Sequence, residues 1–370
     1  MRTVEVVTSV LRFRELETPW SHLWSNAPTN AFQSYAWIAA WVAHKKSDYN
    51  LRIGLVWHAD RLVAVLPMAV HRFHGLRILE WAAQCVTDYC DGLGEVADLQ
   101  TAWNAVMQLG QIDLVRLKNI PRGAKAQFLA DCRDMQFAED EICLKMTFQH
   151  PSSVAWVKSF TAKRRTLYKR RRRLLDEIGT VEITHCDHIP DPALLDTLHR
   201  LKQTWLATHR QGSYLIDDGP DRLASLTRAL AQIGRLHLSV MTCNGVVVAG
   251  SINIIHGDVF MVFMCTYDAE FSRVSPGSLL MFENMRWALD AGFRTIDYLR
   301  GVEDFKREWA NAETILYWVI GVVTRRGRAA LVLRRLMTAS ASVARRMNGN
   351  LRTAGSRLKT IVNAHRSVPT

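Results

Sequence analysis

The sequence predicts an α/β (α+β) chain of two halves, each a mixed, mostly antiparallel sheet flanked by helices. Three observations carry this. At 370 residues the chain is long for one core and suits two. Strand-like runs ending in short turns alternate with helix-like periodicities along most of its length. A coarse plan of Trp-bearing helix, hairpin and third strand appears twice, led by the helices at 31–45 and 192–210. The halves are expected over 1–145 and 146–323, with a basic tail over 324–370.

In the first half, AFQSYAWIAAWVAHK (31–45) reads as a helix with Trp37 and Trp41 four apart, a spacing typical of core. LRIGLVWH (51–58) and RLVAVLPMAVHRF (61–73) read as a hairpin whose Pro67 implies a bulge or an edge. LRILEWAA (76–83) supplies a third strand, and TDYCDGLGE (87–95) a polar break. Its Asp88, Asp91 and Glu95 suit an Asp- and Gly-rich turn better than a metal site, and no metal is expected. A helix near 97–109, a strand at 112–120 and a helix near 123–135 close this half.

Residues 146–190 join the halves. KRRTLYKRRRR (163–173) holds eight basic residues in eleven on a helical pattern. It reads as a solvated face or as a rim that attracts an anionic ligand through residues such as Arg170 and Arg171. In the second half, the helix PALLDTLHRLKQTWLATHR (192–210) carries Trp205. HLSVMTC (237–243), Asn244-Gly245 and VVVAGSINIIH (246–256) form a hairpin signal. VFMVFMCTY (259–267) is apolar throughout, as befits a strand covered on both faces. LLMFENMRWALDAG (279–292) is helical, with Met281, Phe282, Met285, Ala288 and Leu289 on one face. RTIDYLR (294–300) and TILYWVIGVV (314–323) are strands.

Charge and cysteine set limits on function. The net charge is +12, but from Thr314 onward there are 11 Lys and Arg and no acid, so the body is nearly neutral. The high overall pI is therefore poor evidence for nucleic-acid binding by the body. Seven scattered cysteines without a Cys-x-x-Cys read as reduced thiols of a cytoplasmic protein. The N-terminus has no signal-peptide core, and no apolar run reaches membrane-spanning length.

The chemistry is expected in the stretch from His237 to Trp309. Ser275-Pro276-Gly277-Ser278 opens a helix, where free N–H groups and the helix dipole favour an anion such as phosphate. Taken alone, it also describes an ordinary capped helix. The following strand and turn deliver Asp297, Arg300 and Lys306 towards one edge. Arg300 would point away from Asp297 in a regular strand, and Gly301 makes a bend plausible.

The order of these pieces resembles the GNAT acyltransferase superfamily. The match runs through Ser275-Pro-Gly277, Ala291-Gly292, Asp297-Tyr-Leu-Arg300-Gly301, Phe305-Lys306 and Trp309. More faintly it includes Phe32-Gln-Ser-Tyr-Ala-Trp37 and Thr87-Asp88-Tyr89 with Asp91. In detail it resembles the CelD-like, cellulose-biosynthesis branch, with FemAB peptidyltransferases as distant relatives built from two GNAT-like halves. The resemblance covers residues 20 to 320 and not the tail.

It implies an acyl-CoA-dependent acyltransferase, with acetyl-CoA as the model donor and a cell-envelope or polysaccharide precursor as acceptor. Tyr267, Asp268, Ser275, Gly277 and Ser278 are then the candidates for holding the donor. Asp297 is the candidate base, and Arg300 and Lys306 the candidates for anionic groups or the developing oxyanion. Asp88, Tyr89, Arg170, Arg171 and Trp205 are the candidate substrate contacts. Two other classes remain open: an aminoacyl-tRNA-dependent transferase using the Arg-rich helix and tail for RNA, and a non-catalytic scaffold of envelope synthesis. An acidic carrier protein is a further possible partner. The basic tail would allow peripheral contact with the inner face of a membrane.

Overall fold

The computed structural model of the protein describes residues 1–333. Most of the expected basic tail, residues 334–370, lies outside the described residues.

The first half begins with β1 (Arg2–Val7), α1 (Val10–Arg14), α2 (Glu17–Ser25) and α3 (Tyr35–His44). The Ser34 side chain caps α3 by accepting from the Trp37 N–H. Trp37 and Trp41 are both fully buried, as their spacing predicts. Strands β2 (Tyr49–Leu51), β3 (Ile53–His58), β4 (Arg61–Leu66), β5 (Met68–Phe73) and β6 (Leu76–Trp81) follow. Pro67, which cannot donate to a ladder, divides the expected second hairpin strand in two. Its first part, β4, stays with β3 and β1 in a three-stranded sheet, while β5 crosses to the large sheet between β2 and β6. Helix α4 (Val96–Gln108) then carries the chain from β6 to β7 (Leu114–Pro121), which lies parallel to it.

The helix expected near 123–135 is only a short 3₁₀ turn at Lys125–Asp131, and a long strand, β8 (Met135–Thr147), follows it. The acidic run Glu139-Asp140-Glu141 breaks the alternation by which a strand is read. These acids lie on an exposed stretch of β8, and Asp140 is bridged to Lys118 at 3.7 Å.

The second half runs α5 (Ser153–Lys158), α6 (Ala162–Asp176), β9 (Val181–Cys186), α7 (Pro192–His209), α8 (Pro220–Gln232) and β10 (Leu236–Cys243). It continues with β11 (Val246–His256), β12 (Val259–Tyr267), α9 (Pro276–Asp290), β13 (Thr295–Arg300), α10 (Asp304–Arg307) and β14 (Ala312–Val322). The hairpin β10–β11 turns at Asn244-Gly245, both with positive φ, as a two-residue hairpin demands.

One eleven-stranded mixed sheet runs through both halves in the order β2-β5-β6-β7-β14-β8-β13-β12-β11-β10-β9. Strand β14, last in sequence, lies between β7 and β8, so it completes the sheet of the first half. Strand β8 pairs in turn with β13, and the sheet has no break at residue 145. Each half contains a strand–helix–strand unit with a parallel pair, β6–α4–β7 and β12–α9–β13. In both units the pairing is brief, covering two positions in the first and three in the second. No helix among the described residues is long and apolar enough to cross a membrane.

Candidate active site

Strands β12 and β13 pair only at Val259–Met261 with Thr295–Asp297 and then diverge. A cavity of about 390 Å³ fills the fork. Phe263 to Tyr267 line it from one prong, and Tyr298 to Arg300 from the other. Gly277, Ser278, Leu280, Met281 and Asn284 of α9 line it on one face of the sheet. Lys202, Trp205 and His209 of α7 close it on the other, and Asp88 reaches it from the first half. Glu303 and Lys306 stand beside Arg300.

The donor-side candidates separate into two groups. Tyr267, Gly277 and Ser278 line the cavity. A Cβ on Gly277 would come within 3.0 Å of the Tyr267 ring, so glycine here lets the start of α9 approach the strand closely. The Ser278 N–H and the Leu279 N–H both reach the Ser275 carbonyl at 3.1 Å. Asp268 and Ser275 do not line the cavity. Asp268 instead caps the following 3₁₀ turn, accepting from the Glu270 N–H at 3.0 Å. Ser275 takes a left-handed conformation (φ 53°) at the helix start, and its side chain makes no cap.

Asp297 is absent from the cavity lining, contrary to its expected place as a base facing the acceptor. It is completely buried behind the fork. Tyr89 Oη donates to its two oxygens at 3.0 and 2.8 Å, and Lys145 Nζ of β8 lies 3.1 Å away. Its Oδ1 also accepts from the Leu299 N–H at 2.9 Å. Burial pushes its pKa up, and the Lys145 charge opposes that shift. Burial and the neighbouring Asp297 hold the Tyr89 phenol far above its usual range, so Tyr89 belongs to this closed cluster and not to a substrate surface.

This cluster has a local consequence. Leu299 sits at φ 55°, a conformation a leucine adopts only when its surroundings impose it. The Asp297 carboxylate holds that turn through the Leu299 N–H, and the register of β13 on β8 slips between Asp297 and Arg300. This slip and the positive φ of Gly301 (97°) together bend the chain here, as Gly301 made plausible, and Arg300 lines the cavity. Asp297 is thus a positioning residue for Arg300.

Arg300 donates from Nε to Asp88 Oδ1 at 2.6 Å and from Nη1 to Asn119 Oδ1 at 3.1 Å. Lys306 is nearly buried, bonded to the Arg300 carbonyl and to Glu303 Oε2, the latter at 2.9 Å. An ammonium has three donors, so one Lys306 N–H remains beyond these two partners. Trp205 lies in the wall, stacked on His209 with centroids 4.1 Å apart and with Lys202 Nζ 4.3 Å from its ring. Arg170 and Arg171 do not line the cavity: Arg170 is exposed on α6, and Arg171 lies 5.7 Å from the Tyr168 ring. Asp91, the third acid of the 87–95 turn besides Asp88 and Glu95, caps the N–H groups of Gly92, Lys125 and Ala126. Among the described residues, no group of three or more His, Cys, Asp or Glu is arranged to hold a metal ion.

Asn284 was not anticipated. It is fully buried in the cavity lining, and neither its Oδ1 nor its Nδ2 has a hydrogen-bond partner. The buried Thr266 hydroxyl, also in the lining, has none either. A buried amide without partners costs roughly 1–3 kcal/mol, so its place in a cavity wall points to a ligand that bonds it. The sequence held a signal: Asn284 is a polar residue within the apolar stripe Met281, Met285 and Ala288.

Residues 162–307 match the family model described as "Acetyltransferase (GNAT) domain". A search of curated protein sequences finds no match. Among solved structures, FemX is 10% identical, with 86% of this chain and 96% of that one covered at a TM-score of 0.56. L-PGS from Bacillus licheniformis is 12% identical over 87% and 96%, with a TM-score of 0.54. The C-terminal domain (DUF2156) of a putative lysylphosphatidylglycerol synthetase from Agrobacterium fabrum is 12% identical over 86% and 96%, with a TM-score of 0.52. At these identities the likeness is one of fold.

Proposed function

We propose that the protein is an acyl-CoA-dependent N- or O-acyltransferase acting on a cell-envelope or polysaccharide precursor, built from two GNAT-like halves of which the second holds the donor. The family model over 162–307 supports acyl transfer. The acceptor class rests on the resemblance to the CelD-like branch.

The observation that carries the donor assignment is the unpartnered amide of Asn284 in the fork. The pantetheine arm of CoA is a flexible chain with two secondary amides, each offering one donor and one acceptor. That is the complement of the Asn284 side chain. An aminoacyl ester would instead bring an ammonium against Leu280, Met281 and Val262, while the carboxylates of the lining, Asp88 and Glu303, are already paired with Arg300 and Lys306. The Gly277 N–H at the start of α9, with the helix dipole behind it, suits the anionic end of the same donor.

Because a thioester is already activated, the chain's own groups have three tasks: to hold the acceptor, to take its proton and to stabilise negative charge on oxygen. We assign the proton to Glu303, whose half-exposed carboxylate meets both cavity and solvent. The remaining Lys306 N–H and the Arg300 guanidinium supply positive charge for the oxyanion or for an anionic acceptor. Arg170 and Arg171 act through their field on approach of an anionic donor, an acidic carrier protein or an anionic precursor.

A second reading, transfer of an aminoacyl group from tRNA, is favoured by the dense basic run on α6. Calorimetric titration tests the two. Saturable binding of acetyl-CoA, with turnover in a screen of amino and hydroxyl glycan precursors, supports the proposal. Binding of aminoacyl-tRNA with none of acetyl-CoA would replace it by the second reading. Absence of both would leave a scaffold.

A further inference from the structure

Helix α9 has a second working face. Gly277, Leu280, Met281 and Asn284 turn towards the fork, whereas Leu279, Phe282, Glu283 and Arg286, at i, i+3, i+4 and i+7, form the opposite stripe. That stripe floors a separate groove of about 530 Å³ walled by α5 and α6. Its interior is apolar, made by Val157, Phe160, Tyr168, Leu279 and Phe282. The walls are fixed: the Ser153 N–H donates to Asp290 Oδ1 at 2.8 Å, and Tyr168 stacks on Phe282 with centroids 4.4 Å apart.

The rim is strongly basic. Lys158, Arg165, Lys169, Arg172, Arg173 and Arg286 face two carboxylates, Asp176 and Glu283. Both carboxylates are already bridged, to Arg172 at 2.9 Å and to Arg286 at 2.8 Å, and Arg173 is bridged to Glu177 at 3.4 Å on the exposed side of α6. Lys158 and Lys169 are exposed and have no acid within bridging distance among the described residues. Val154, 59% exposed, stands at the same rim. So many like charges around an apolar hollow repel one another unless an anion lies between them. Inside, Tyr168 stacks on Phe282 and Phe160 meets Trp156 edge to face.

We propose that this groove is a binding site for an anionic phospholipid of a membrane surface. One acyl chain lies in the apolar hollow, and the phosphate lies between Lys158, Lys169 and Arg173. The proposal is independent of the donor assigned to the fork.

The test uses the full chain and the exposed triple variant Lys158→Glu, Lys169→Glu, Arg173→Glu. Vesicles of neutral lipid with a third phosphatidylglycerol are compared with neutral vesicles in a flotation assay, and dodecyl phosphate with hexyl phosphate in calorimetry. Selective binding of the anionic vesicles is expected, with at least about a tenfold loss of vesicle and dodecyl phosphate affinity in the variant. Dodecyl phosphate should also bind at least about tenfold more tightly than hexyl phosphate, because the hollow takes up methylenes. Val154→Asp should weaken vesicle binding without unfolding the chain. Equal vesicle binding by variant and wild type overturns the proposal. So does indifference to chain length, which would mean a charged surface only. Displacement of dodecyl phosphate by acetyl-CoA would also overturn it, giving the groove to the donor's nucleotide.

Discussion

Removing the Lys145 charge should destabilise the protein, and removing the Asp297 charge as well should restore much of the loss. Asp297 is completely buried and Lys145 Nζ lies 3.1 Å from it, with the lysine side chain 25% exposed. Breaking a buried ion pair by deleting one partner costs roughly 3–5 kcal/mol, because the other charge stays behind in a poor solvent. Here Tyr89 Oη and the Leu299 N–H still serve the carboxylate, so Lys145→Met should fall at the lower end, about 3 kcal/mol. Asp297→Asn alone should cost about 1–2 kcal/mol, since the partly exposed Lys145 is easily hydrated. The double variant should be no less stable than Asp297→Asn, a coupling of at least about 3 kcal/mol.

The pH dependence has a definite sign. An acid whose folded pKa lies above its unfolded value, near 3.8, adds stability at low pH. That stability is lost as the pH rises through the raised folded value. Without Lys145 the folded value rises further, so the deficit of Lys145→Met should be complete at neutral pH and shrink on acidification. Urea unfolding of the four proteins at pH 7 and pH 5 measures both effects. Additive losses, or a Lys145→Met deficit that is the same at both pH values, would refute the buried ion pair.

Other perturbations act on the fork. Asn284→Leu should raise stability by about 1 kcal/mol while raising the KM for acetyl-CoA at least tenfold, because it removes a costly amide and the donor's partner together; parallel thermal and kinetic measurements check this. Gly277→Ala should weaken acetyl-CoA binding by pushing the Tyr267 ring from a 3.0 Å contact, with little change in unfolding, as calorimetry would read. Glu303→Gln should lower kcat by about a hundredfold with KM for the donor unchanged, the scale of a lost proton acceptor; an unaltered kcat removes Glu303 from the chemistry.

The sequence revealed those features that depend on local pattern. The hairpin at Asn244-Gly245, the apolar strand β12, the helix start at Pro276 and the Trp37–Trp41 core pair all follow from spacing of a few residues. The place of Lys145 does not, because β8 was hidden by its acidic run and only β13 brings the lysine to Asp297. Arg300 lines the cavity, and the slip beside it involves a carboxylate that reaches the backbone two residues on, which no local pattern shows. Asp88 and Tyr89 both cross from the first half, but one ends beside Arg300 in the cavity and the other in the buried cluster. Alternation along a loop cannot make that distinction. Asp268 and Ser275 shared the right segment with Gly277, yet a 3₁₀ turn keeps both out of the lining.

Cys265 gives the most direct measurement of the central claim, that the fork holds the donor. It is a free thiol in the cavity lining, partly accessible, and Cys132 and Cys186 are partly accessible thiols outside the lining. Alkylation by N-ethylmaleimide, followed residue by residue by peptide mass spectrometry, is compared with and without acetyl-CoA. The account predicts that acetyl-CoA slows modification of Cys265 at least about tenfold and leaves Cys132 and Cys186 unchanged, and that Asn284→Leu weakens this protection. Saturating acetyl-CoA that leaves Cys265 as reactive as in the free protein would contradict it.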